Sequence, residues 1–497
     1  MPTGPKRWDW PARRERIRSP GAEWWTSCWD RSMASTRVAW FTPLQPVESG
    51  ISLYNEELIP LFDNRLEVDV VVDGYAPTVF RSTSKTRVID QSRFTPETYD
   101  LIIYQIGNNP SHVYMLPWME RAPGLMVLHD TMLNHLQIQA AVASGTLLEY
   151  RDEMERRYGP EGLAAADRVL RGQAPDELFR FPMSEHLIER SKATIVHSAF
   201  ARSEVLKRVP HASVFQVPHG LRLPEALDPA DARRALGLPE DQFLIGSVSH
   251  INPHKRIDVI LRAFKQLRRT VPARLVLAGS ISPGFPLRRM ISHLGLDQVV
   301  DVPGYVSDEE ARLITAASDV IVNLRYPTAG ETSGSLLHAM AAGRPVLVSR
   351  TGSFTEIPAD AAIEIPVDAL EESMLVRVLT RLADDEDLRR DIGDNARAFV
   401  ATGHSLSRWT NGYLDAIAEL TGRHIPHVQV DESVESIDIA SRFARRDPDP
   451  LTSSVARDVA ELGLGGDEIL LGEIASAKVD LGLTAGKIFV DHETRSH

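Results

Sequence analysis

The sequence predicts an α/β protein with two parallel-sheet domains joined by a linker. Short apolar strands alternate with helical segments over most of the chain, and this alternation is typical of parallel sheets wound by crossover helices. Residues 221–239, with several prolines and alternating Asp and Ala, separate two such series of similar size. At 497 residues the chain is long enough for two or more domains, each with its own core.

The first series begins with an apolar strand and continues with four-residue to eight-residue apolar runs. The predicted strands are residues 37–44, 66–73, 99–106 and 124–130, with a helix from about 52 to 62 after the first. From Met132 to Arg190 the pattern becomes helical and charged. Two short strands, 193–198 and 212–220, end the series before the linker.

The second series repeats this plan after the linker. Its predicted strands are residues 243–249, 273–280, 299–306, 319–324 and 345–349. Helices are predicted over 258–269 and 335–342, the latter closed by Gly343 as a C-cap. A further helix is predicted over 406–420, and the region from about 427 to 497 has no pattern that assigns it a function.

Composition excludes several classes of protein. The net charge of −13 argues against general nucleic-acid binding, because no broad basic surface is implied. The single cysteine, Cys28, excludes an internal disulfide framework and fits a reducing compartment. The sequence contains neither an apolar run near the ~20 residues that span a bilayer nor a signal-peptide h-region. We therefore expect a cytoplasmic protein.

Residues 1–35 differ from the rest of the chain. They hold five of the eight tryptophans and seven Lys or Arg, without a helical or strand period. One interpretation is a disordered leader, or an over-extended start with initiation at Met33. The other is a basic, aromatic anchor that would bring the protein into peripheral contact with the inner face of an anionic membrane.

The segment from Arg325 to Val348 points most directly to chemistry. Its loop precedes a helix and offers the backbone N–H groups of Thr332, Ser333 and Gly334 beside the positive end of a helix dipole. Such a loop is a seat for a phosphate group. Glu331 beside it would repel a phosphate unless it binds something else, such as a sugar hydroxyl. The combination indicates a sugar nucleotide.

This segment resembles the donor-site loop of the retaining GT-B glycosyltransferases of family 4. In that family a Glu-containing loop precedes a helix ending in Ala-Met-Ala-x-Gly-x-Pro-Val, matched here by Ala339–Val346. The family's second Glu is replaced by His338, and Glu331 lies one residue closer to that position than expected. The resemblance implies two Rossmann-like domains facing each other across a cleft, and a UDP-, GDP- or ADP-sugar as donor.

The resemblance also implies domain boundaries. It places the N-terminal acceptor domain at 36–222, the C-terminal donor domain at 223–405 and a helix crossing back to the N-terminal domain at 406–425. Residues 426–497 would then be a C-terminal extension. The acceptor would be a glycan, a lipid-linked molecule or a small molecule.

Three cationic or polar residues at strand ends are candidates to hold the donor diphosphate. Lys255 lies between a strand and a helix and would supply a point charge. In the family an Arg stands five residues before such a Lys, and here that position is His250. Arg325, at the end of a strand, is the predicted replacement for that Arg through a bidentate contact.

The N-terminal domain offers polar residues for the opposite wall of the cleft. His129 follows a strand and, by the resemblance, would lie near the transferred sugar; Asp130 is either a functional group or the cap of a helix beginning at Thr131. In the family the loop after the first strand, which here contains Gly50, covers the donor phosphates or meets the acceptor. Further polar candidates are less specific. These are Asn108, Asn109 and His112, as a cluster that contacts the sugar or the acceptor or as a structural turn, and His197 and His219, as structural residues with acceptor contact as the alternative.

No metal site is predicted, because the Asp-x-Asp runs at 384–387 and 447–449 lack a strand-end context. The resemblance implies that Lys, Arg and helix dipoles neutralise the leaving diphosphate instead. The expected function is transfer of a sugar to an acceptor hydroxyl with retention, in polysaccharide, glycolipid or glycoconjugate synthesis. Alternatives are a non-catalytic sugar-nucleotide sensor or scaffold, or another GT-B activity such as a nucleotide-sugar epimerase.

Overall fold

The computed structural model describes residues 35–62, 64–173 and 175–432, and these form two parallel sheets. The strands of the first sheet are β1 Thr36–Phe41, β2 Leu66–Val72, β3 Thr86–Asp90, β4 Leu101–Ile106, β5 Leu125–Leu128, β6 Ala193–Val196 and β7 Val214–Gln216. Their order is β3-β2-β1-β4-β5-β6-β7. Every neighbouring pair is parallel, so each connection must cross over the sheet.

The second sheet has the same winding with one strand fewer. Its strands are β8 Phe243–Val248, β9 Ala273–Ala278, β10 Val300–Gly304, β11 Val320–Asn323, β12 Val346–Ser349 and β13 Ile363–Ile365. Their order is β10-β9-β8-β11-β12-β13, again all parallel. The predicted pair of parallel α/β units is therefore confirmed.

Helices connect most of the consecutive strands of the described chain. Those of the first unit are α1 Gly50–Leu58, α2 Leu116–Arg121, α3 Asn134–Ser144, α4 Leu147–Leu170, α5 Glu185–Arg190 and α6 Ala199–Arg208. Those that follow are α7 Pro229–Leu236, α8 Ile257–Leu267, α9 Leu287–Leu294, α10 Asp308–Ala317, α11 Gly334–Ala341, α12 Glu371–Asp384, α13 Glu386–Gly403 and α14 Leu406–Thr421. None of the described helices is long and apolar enough to cross a membrane.

The central strands read as continuous apolar runs because both faces of each sheet are covered. All six residues of β4 and all four of β5 are buried. Helices on both sides of a parallel sheet remove the alternation of polar and apolar residues that a half-exposed strand would show. This burial explains why the sequence pattern located these strands.

Two edge strands, β3 and β13, were absent from the predicted elements. Only the first residue of β3 is buried, and β13 has three residues. Strand β3 is held by its pairing with β2, where Arg87 donates two hydrogen bonds to Asp69, at 2.7 and 2.8 Å. A short edge strand stabilised by such distant partners leaves little signal in its own sequence.

Helix α14 returns to the first unit and completes its core. Trp409 and Tyr413 are fully buried there, and the Trp409 indole N–H donates to the Tyr54 hydroxyl at 2.8 Å. Tyr413 stacks on Trp40 with ring centroids 5.5 Å apart. Ile425 and Val428 pack on the same core. The leader at 1–34 and the rest of the extension at 433–497 lie outside the described residues.

The strand orders fix where a ligand site can form. In each sheet the strand order reverses between the first and the fourth strand in sequence, at β1/β4 and at β8/β11. In open α/β sheets the crevice at such a switch point, at the carboxyl ends of the strands, is the usual ligand site. The loops after these four strands and after the neighbouring β5 contain most of the residues considered next.

Candidate active site

Arg325, two residues after the end of β11, organises the loop that leads into α11. Its side chain is almost fully buried, and Nη1 donates to Glu331 Oε1 at 2.6 Å. Nη2 donates to Asn323 Oδ1 at 2.8 Å and to Ser333 Oγ at 2.7 Å. Only Nε lacks a partner among the described residues. Both Nη atoms of the guanidinium hold the loop in this structure, and the bidentate contact of Arg325 to a phosphate stays a prediction.

Glu331 is the acceptor at the centre of that loop. Besides Arg325, the Ala329 N–H donates to Oε2 at 2.8 Å and the Thr328 hydroxyl at 3.0 Å. Burial alone would raise the pKa of this carboxyl, but the charges of Arg325 and Lys255 lower it to about 2. Glu331 is therefore ionised at any pH near neutrality.

The loop after Glu331 presents unused backbone donors at the start of α11. In the part of the chain that the structure describes, the N–H groups of Thr332, Ser333 and Gly334 donate to no protein acceptor. They lie at the positive end of an eight-residue helix, and such a terminus attracts anions. The Ser333 hydroxyl caps α11 by accepting the Leu336 N–H at 3.4 Å.

Lys255 lies close to this loop without an ionic partner of its own. Its Nζ makes no hydrogen bond or ion pair to any described residue. Burial and the charge of Arg325 lower its pKa to about 7, against the opposing effect of Glu331 and Asp130. A partly buried amine among charged groups, with no acceptor, is prepared for an anionic ligand.

His254, the residue before Lys255, is a neighbour of the site that the sequence did not single out. Burial and Lys255 lower its pKa to about 3, so it is neutral. Its carbonyl accepts the Tyr326 N–H at 2.7 Å, which ties the Lys255 loop to the loop after β11. Its ring lies 5.3 Å from Phe179 of the first unit. Only the strand-end position before α8 could have indicated it.

His250 and Gly50 lie near the outer part of the crevice. His250 is exposed, its Nε2 is 2.8 Å from Ser282 Oγ, and burial and Lys255 lower its pKa while Glu48 acts the other way. Glu48 Oε2 accepts from Ser280 Oγ at 3.3 Å across the two units. Gly50 is exposed, and a Cβ there would meet nothing within 4 Å, so no close contact inside the protein requires a glycine.

His129 follows β5, and one of its two ring nitrogens has a hydrogen-bond partner. Its Nε2 lies 2.7 Å from Gln105 Oε1, and its ring meets Tyr54 edge-on at 4.8 Å. Burial, with the nearby His197, lowers its pKa well below the usual value, so the ring is neutral. If Nε2 carries the proton given to Gln105, Nδ1 presents a lone pair that no described residue uses.

Asp130 faces the charges of the other unit. Burial and the negative charge of Glu331 raise its pKa to about 7, against the Asn108 N–H, Lys255 and Arg325. Its Oδ2 accepts the Asn108 N–H at 2.7 Å. It does not cap a helix at Thr131, because α3 starts only at Asn134. The alternative of a capping role is therefore wrong.

The remaining polar candidates hold local structure. Asn108 accepts the Leu136 N–H and Asn109 accepts the Ser111 N–H, each at 2.9 Å. His112 is buried with Nδ1 2.8 Å from the Gln105 carbonyl oxygen, and burial lowers its pKa to about 4. The rings of His197 and His219 pack around Tyr54 at 5.3 and 4.8 Å, as predicted for structural residues.

His338 stands where the resemblance expects a second Glu. It is on α11, and burial lowers its pKa, with Asp308 opposing and Arg312 adding to the shift. Its charged neighbours therefore come from α10. A histidine at this position does not supply the negative charge that a Glu would carry there.

Direct contacts bring the two units together at this site. The N–H groups of Thr131 and Met132 both donate to the Ala329 carbonyl, at 2.7 and 3.1 Å. Gly330 has a φ of +79°, and a Cβ there would lie 2.1 Å from Thr131 Oγ1. A side chain at residue 330 would force the units apart. The Glu331 loop therefore lies directly against the residues that follow His129 and Asp130.

Together these groups form a cleft with a positively charged wall and a polar wall. One side supplies Lys255 and the N–H groups of residues 332–334, and the other supplies His129 and Asp130. The described residues contain no group of three or more His, Cys, Asp or Glu side chains that could hold a metal ion. The arrangement can bind a diphosphate on one side and hydroxyl groups on the other.

Comparison with known sequences finds a family model that matches part of the second unit. Residues 228–399 match the model described as Glycosyl transferases group 1. The D-inositol 3-phosphate glycosyltransferase of Salinispora arenicola is 30% identical over 207 residues, which are 39% of this chain and 45% of that protein. The MMP alpha-(1->4)-mannosyltransferase of Mycolicibacterium hassiacum is 31% identical over 150 residues, 29% of this chain and 35% of the relative. The chain thus spans about half or less of these relatives.

Solved structures match over both units. Sucrose-phosphate synthase from Thermosynechococcus elongatus aligns with a TM-score of 0.57 at 17% identity, covering 78% of this chain and 99% of that one. Anabaena HepE, in complex with UDP and glucose, aligns with a TM-score of 0.56 at 16% identity, covering 77% and 100%. At this identity the likeness shows the fold, and the predicted GT-B fold is confirmed.

Proposed function

We propose that this chain, which contains a Glycosyl transferases group 1 domain at residues 228–399, transfers a sugar from a nucleoside-diphosphate sugar to an acceptor hydroxyl. The observation that carries the proposal is the unpartnered Lys255 amine beside the unused N–H groups of residues 332–334. Both meet at the carboxyl ends of β8 and β11, opposite His129 and Asp130. The acceptor is a glycan, a lipid-linked molecule or a small polyol.

The diphosphate of the donor would bind to Lys255 and to the start of α11. As the bond between the sugar and the diphosphate breaks, negative charge develops on the leaving oxygen. A cation, backbone N–H groups and a helix dipole, fixed before the reaction, stabilise that charge without having to reorganise. The chain's own groups supply this stabilisation in our proposal, and no step is assigned to a metal ion.

The sugar would lie between Glu331 and the polar wall. The ionised Glu331 carboxylate can accept from a sugar hydroxyl, since each oxygen has further lone-pair capacity beyond its loop contacts. The Nδ1 lone pair of His129 can accept from another hydroxyl. Retention at the anomeric carbon is proposed from the family resemblance alone.

A non-catalytic sugar-nucleotide sensor is the second candidate. The observation in its favour is the pair of histidines, His250 and His338, at positions where the family carries an Arg and a Glu. Both have a lowered pKa and are neutral at pH 7, so two charged contacts to the donor are missing. A sensor would bind a nucleotide sugar and leave it intact.

Replacing Lys255 with Ala is expected to weaken nucleoside-diphosphate binding by ~1.5–3 kcal/mol, the range for a charge-assisted hydrogen bond. Nucleoside binding should stay within a factor of about two, because only the phosphate contact is removed. Calorimetric titration with UDP, GDP and ADP and with the three nucleosides measures both. Lys265→Ala, an exposed position on α8, is the matched control. Equal diphosphate affinity in the two variants would remove Lys255 from the site.

Affinity for a nucleotide sugar is expected to fall as the pH rises above about 7. The pKa of Lys255 lies at about 7 without ligand, because burial and Arg325 disfavour the ammonium form. A bound diphosphate raises that pKa, so binding at higher pH requires uptake of a proton. Asp130 also has a pKa of about 7, and a bound diphosphate raises that pKa as well. Each such group lowers the affinity by up to ~10-fold per pH unit.

The test is titration of the same nucleotide sugar at several pH values between 6 and 9. A nucleotide sugar is preferred to a free diphosphate, whose terminal phosphate itself titrates near pH 6. Lys255→Arg, which stays charged throughout this range, should flatten the profile. An equally steep profile in that variant would show that Lys255 is not the titrating group.

A further inference from the structure

Arg256, the residue after Lys255, has an unusual backbone conformation. Its φ is +55° and ψ is +31°, in the left-handed region. Arg256 and Met183 are the two residues other than glycine with positive φ in the described chain. A side chain with a Cβ is disfavoured there, so the surrounding structure must hold it. Arg256 ends the 3₁₀ turn Pro253–Lys255 and starts α8.

A partly buried ion pair fixes this residue. Nε of Arg256 donates to both carboxylate oxygens of Glu371, at 3.0 and 3.1 Å, and Nη2 also donates to Oε2. Glu371 is the first residue of α12, and its side chain is 4% exposed. A bidentate contact to so buried a carboxylate restricts both the side chain and the backbone that bears it.

Lys255 and Arg256 reach in different directions from one turn. Arg256 binds Glu371 on α12, whereas the Lys255 amine lies within the electrostatic influence of Arg325, Glu331 and Asp130 in the cleft. The left-handed residue reverses the chain between the turn and the helix. Its conformation therefore sets where the Lys255 side chain starts.

We propose that the Arg256–Glu371 pair is a positioning device that holds Lys255 at the diphosphate of the donor. The inference rests on the proposed function, because it gives Lys255 the role stated above. Neither residue touches the donor. The ion pair holds the Arg256 backbone in the left-handed conformation, which is otherwise disfavoured. The Lys255 side chain is therefore in place before the donor binds.

Two double variants separate this role from a merely structural one. Arg256→Gly with Glu371→Gln and Arg256→Ala with Glu371→Gln both remove the ion pair, but only glycine adopts the left-handed conformation without strain. The glycine variant should bind the nucleoside diphosphate preferred by the wild type within ~3-fold. The alanine variant should bind at least ~10-fold more weakly, since a small misplacement of a binding group has a large effect.

The readouts are calorimetric affinity for UDP, GDP and ADP, donor KM and kcat, and the melting temperature. KM should rise in the alanine variant with kcat changed by less than ~3-fold. Glu372→Gln is the matched control, because Glu372 accepts from Arg262 Nε at 2.7 Å between the same two helices without touching the Lys255 turn. It should bind like the wild type.

Equal affinity of the two double variants, whether normal or reduced, would overturn the inference. If either fails to fold, Arg256→Lys replaces it, since lysine keeps the charge but loses the bidentate contact. That variant should bind at least ~5-fold more weakly, and wild-type affinity would overturn the inference. A wild type that binds none of the three diphosphates would instead refute the proposed function.

Discussion

Replacing Glu331 with Gln is expected to lower turnover at least ~100-fold, the loss typical of one fixed polar group at a reacting centre. The carboxylate accepts from Arg325, Thr328 and Ala329, all of which are donors. An amide places an N–H₂ group against one of these donors and removes the charge that faces the sugar. Affinity for the nucleoside diphosphate should change by less than ~3-fold, because the proposed contact is to the sugar.

Glu364→Gln is the control for this substitution. Glu364 lies on β13 and accepts from Arg350 Nε at 3.1 Å, in an ion pair on the surface of the same unit. Its loss should leave turnover and the melting temperature near those of the wild type. Turnover of the Glu331 variant within ~10-fold of the wild type would contradict the role given to Glu331.

Replacing His129 with Ala is also expected to reduce turnover at least ~100-fold, within the range for a positioned polar group. The change removes the Nδ1 lone pair from the polar wall of the cleft. It also removes the contacts with Gln105 and Tyr54, so the melting temperature should fall. Steady-state kinetics below the transition temperature separate the two effects.

His197→Ala removes a ring from the same cluster and provides the comparison. His197 lies 5.0 Å from His129 between ring centroids, and its Nδ1 is held by the Val217 carbonyl at 2.9 Å. This variant should lose stability but keep turnover within ~10-fold. If both variants lose turnover equally, packing of the cluster explains the result, and the direct role of His129 is wrong.

The fold was predictable where the sequence carries local signals. Strands such as β4, buried along its whole length, show as apolar runs, and α11 is marked by the small residues before it and Gly343 after it. Strand β3 left no such signal, because its stability depends on Asp69 of the neighbouring strand. The region from Met132 to Arg190 was predicted to be helical. Only the structure shows that helices within it end at Gly145 and Arg171.

The sequence predicted which residues lie at the candidate site, but not which partners they bind. Strand ends identified Lys255, Arg325 and His129, because parallel sheets bring their carboxyl ends to one crevice. The partners of each group could not be read from spacing. Arg325 binds Glu331 six residues away, and Ser333 caps a helix. The charge on Asp130 depends on Glu331 of the other unit.

Arg256 shows a further limit of prediction from the sequence. A residue with a Cβ in the left-handed region contradicts the local preference, and only its distant partner explains it. Glu371 lies 115 residues away in sequence. Such positions are expected at functional sites, where local rules yield to geometry that tertiary contacts impose.

The central claim is that this cleft transfers the sugar of a nucleotide sugar. Its most direct test incubates the protein with UDP-, GDP- and ADP-sugars, with and without a mixture of glycan and polyol acceptors, and follows the anomeric proton signals by NMR. Our account predicts that one donor is consumed, with release of its nucleoside diphosphate and retention in the product, and that Lys255→Ala slows this consumption. Tight binding of a nucleotide sugar that stays intact under every condition would contradict the account and favour the sensor.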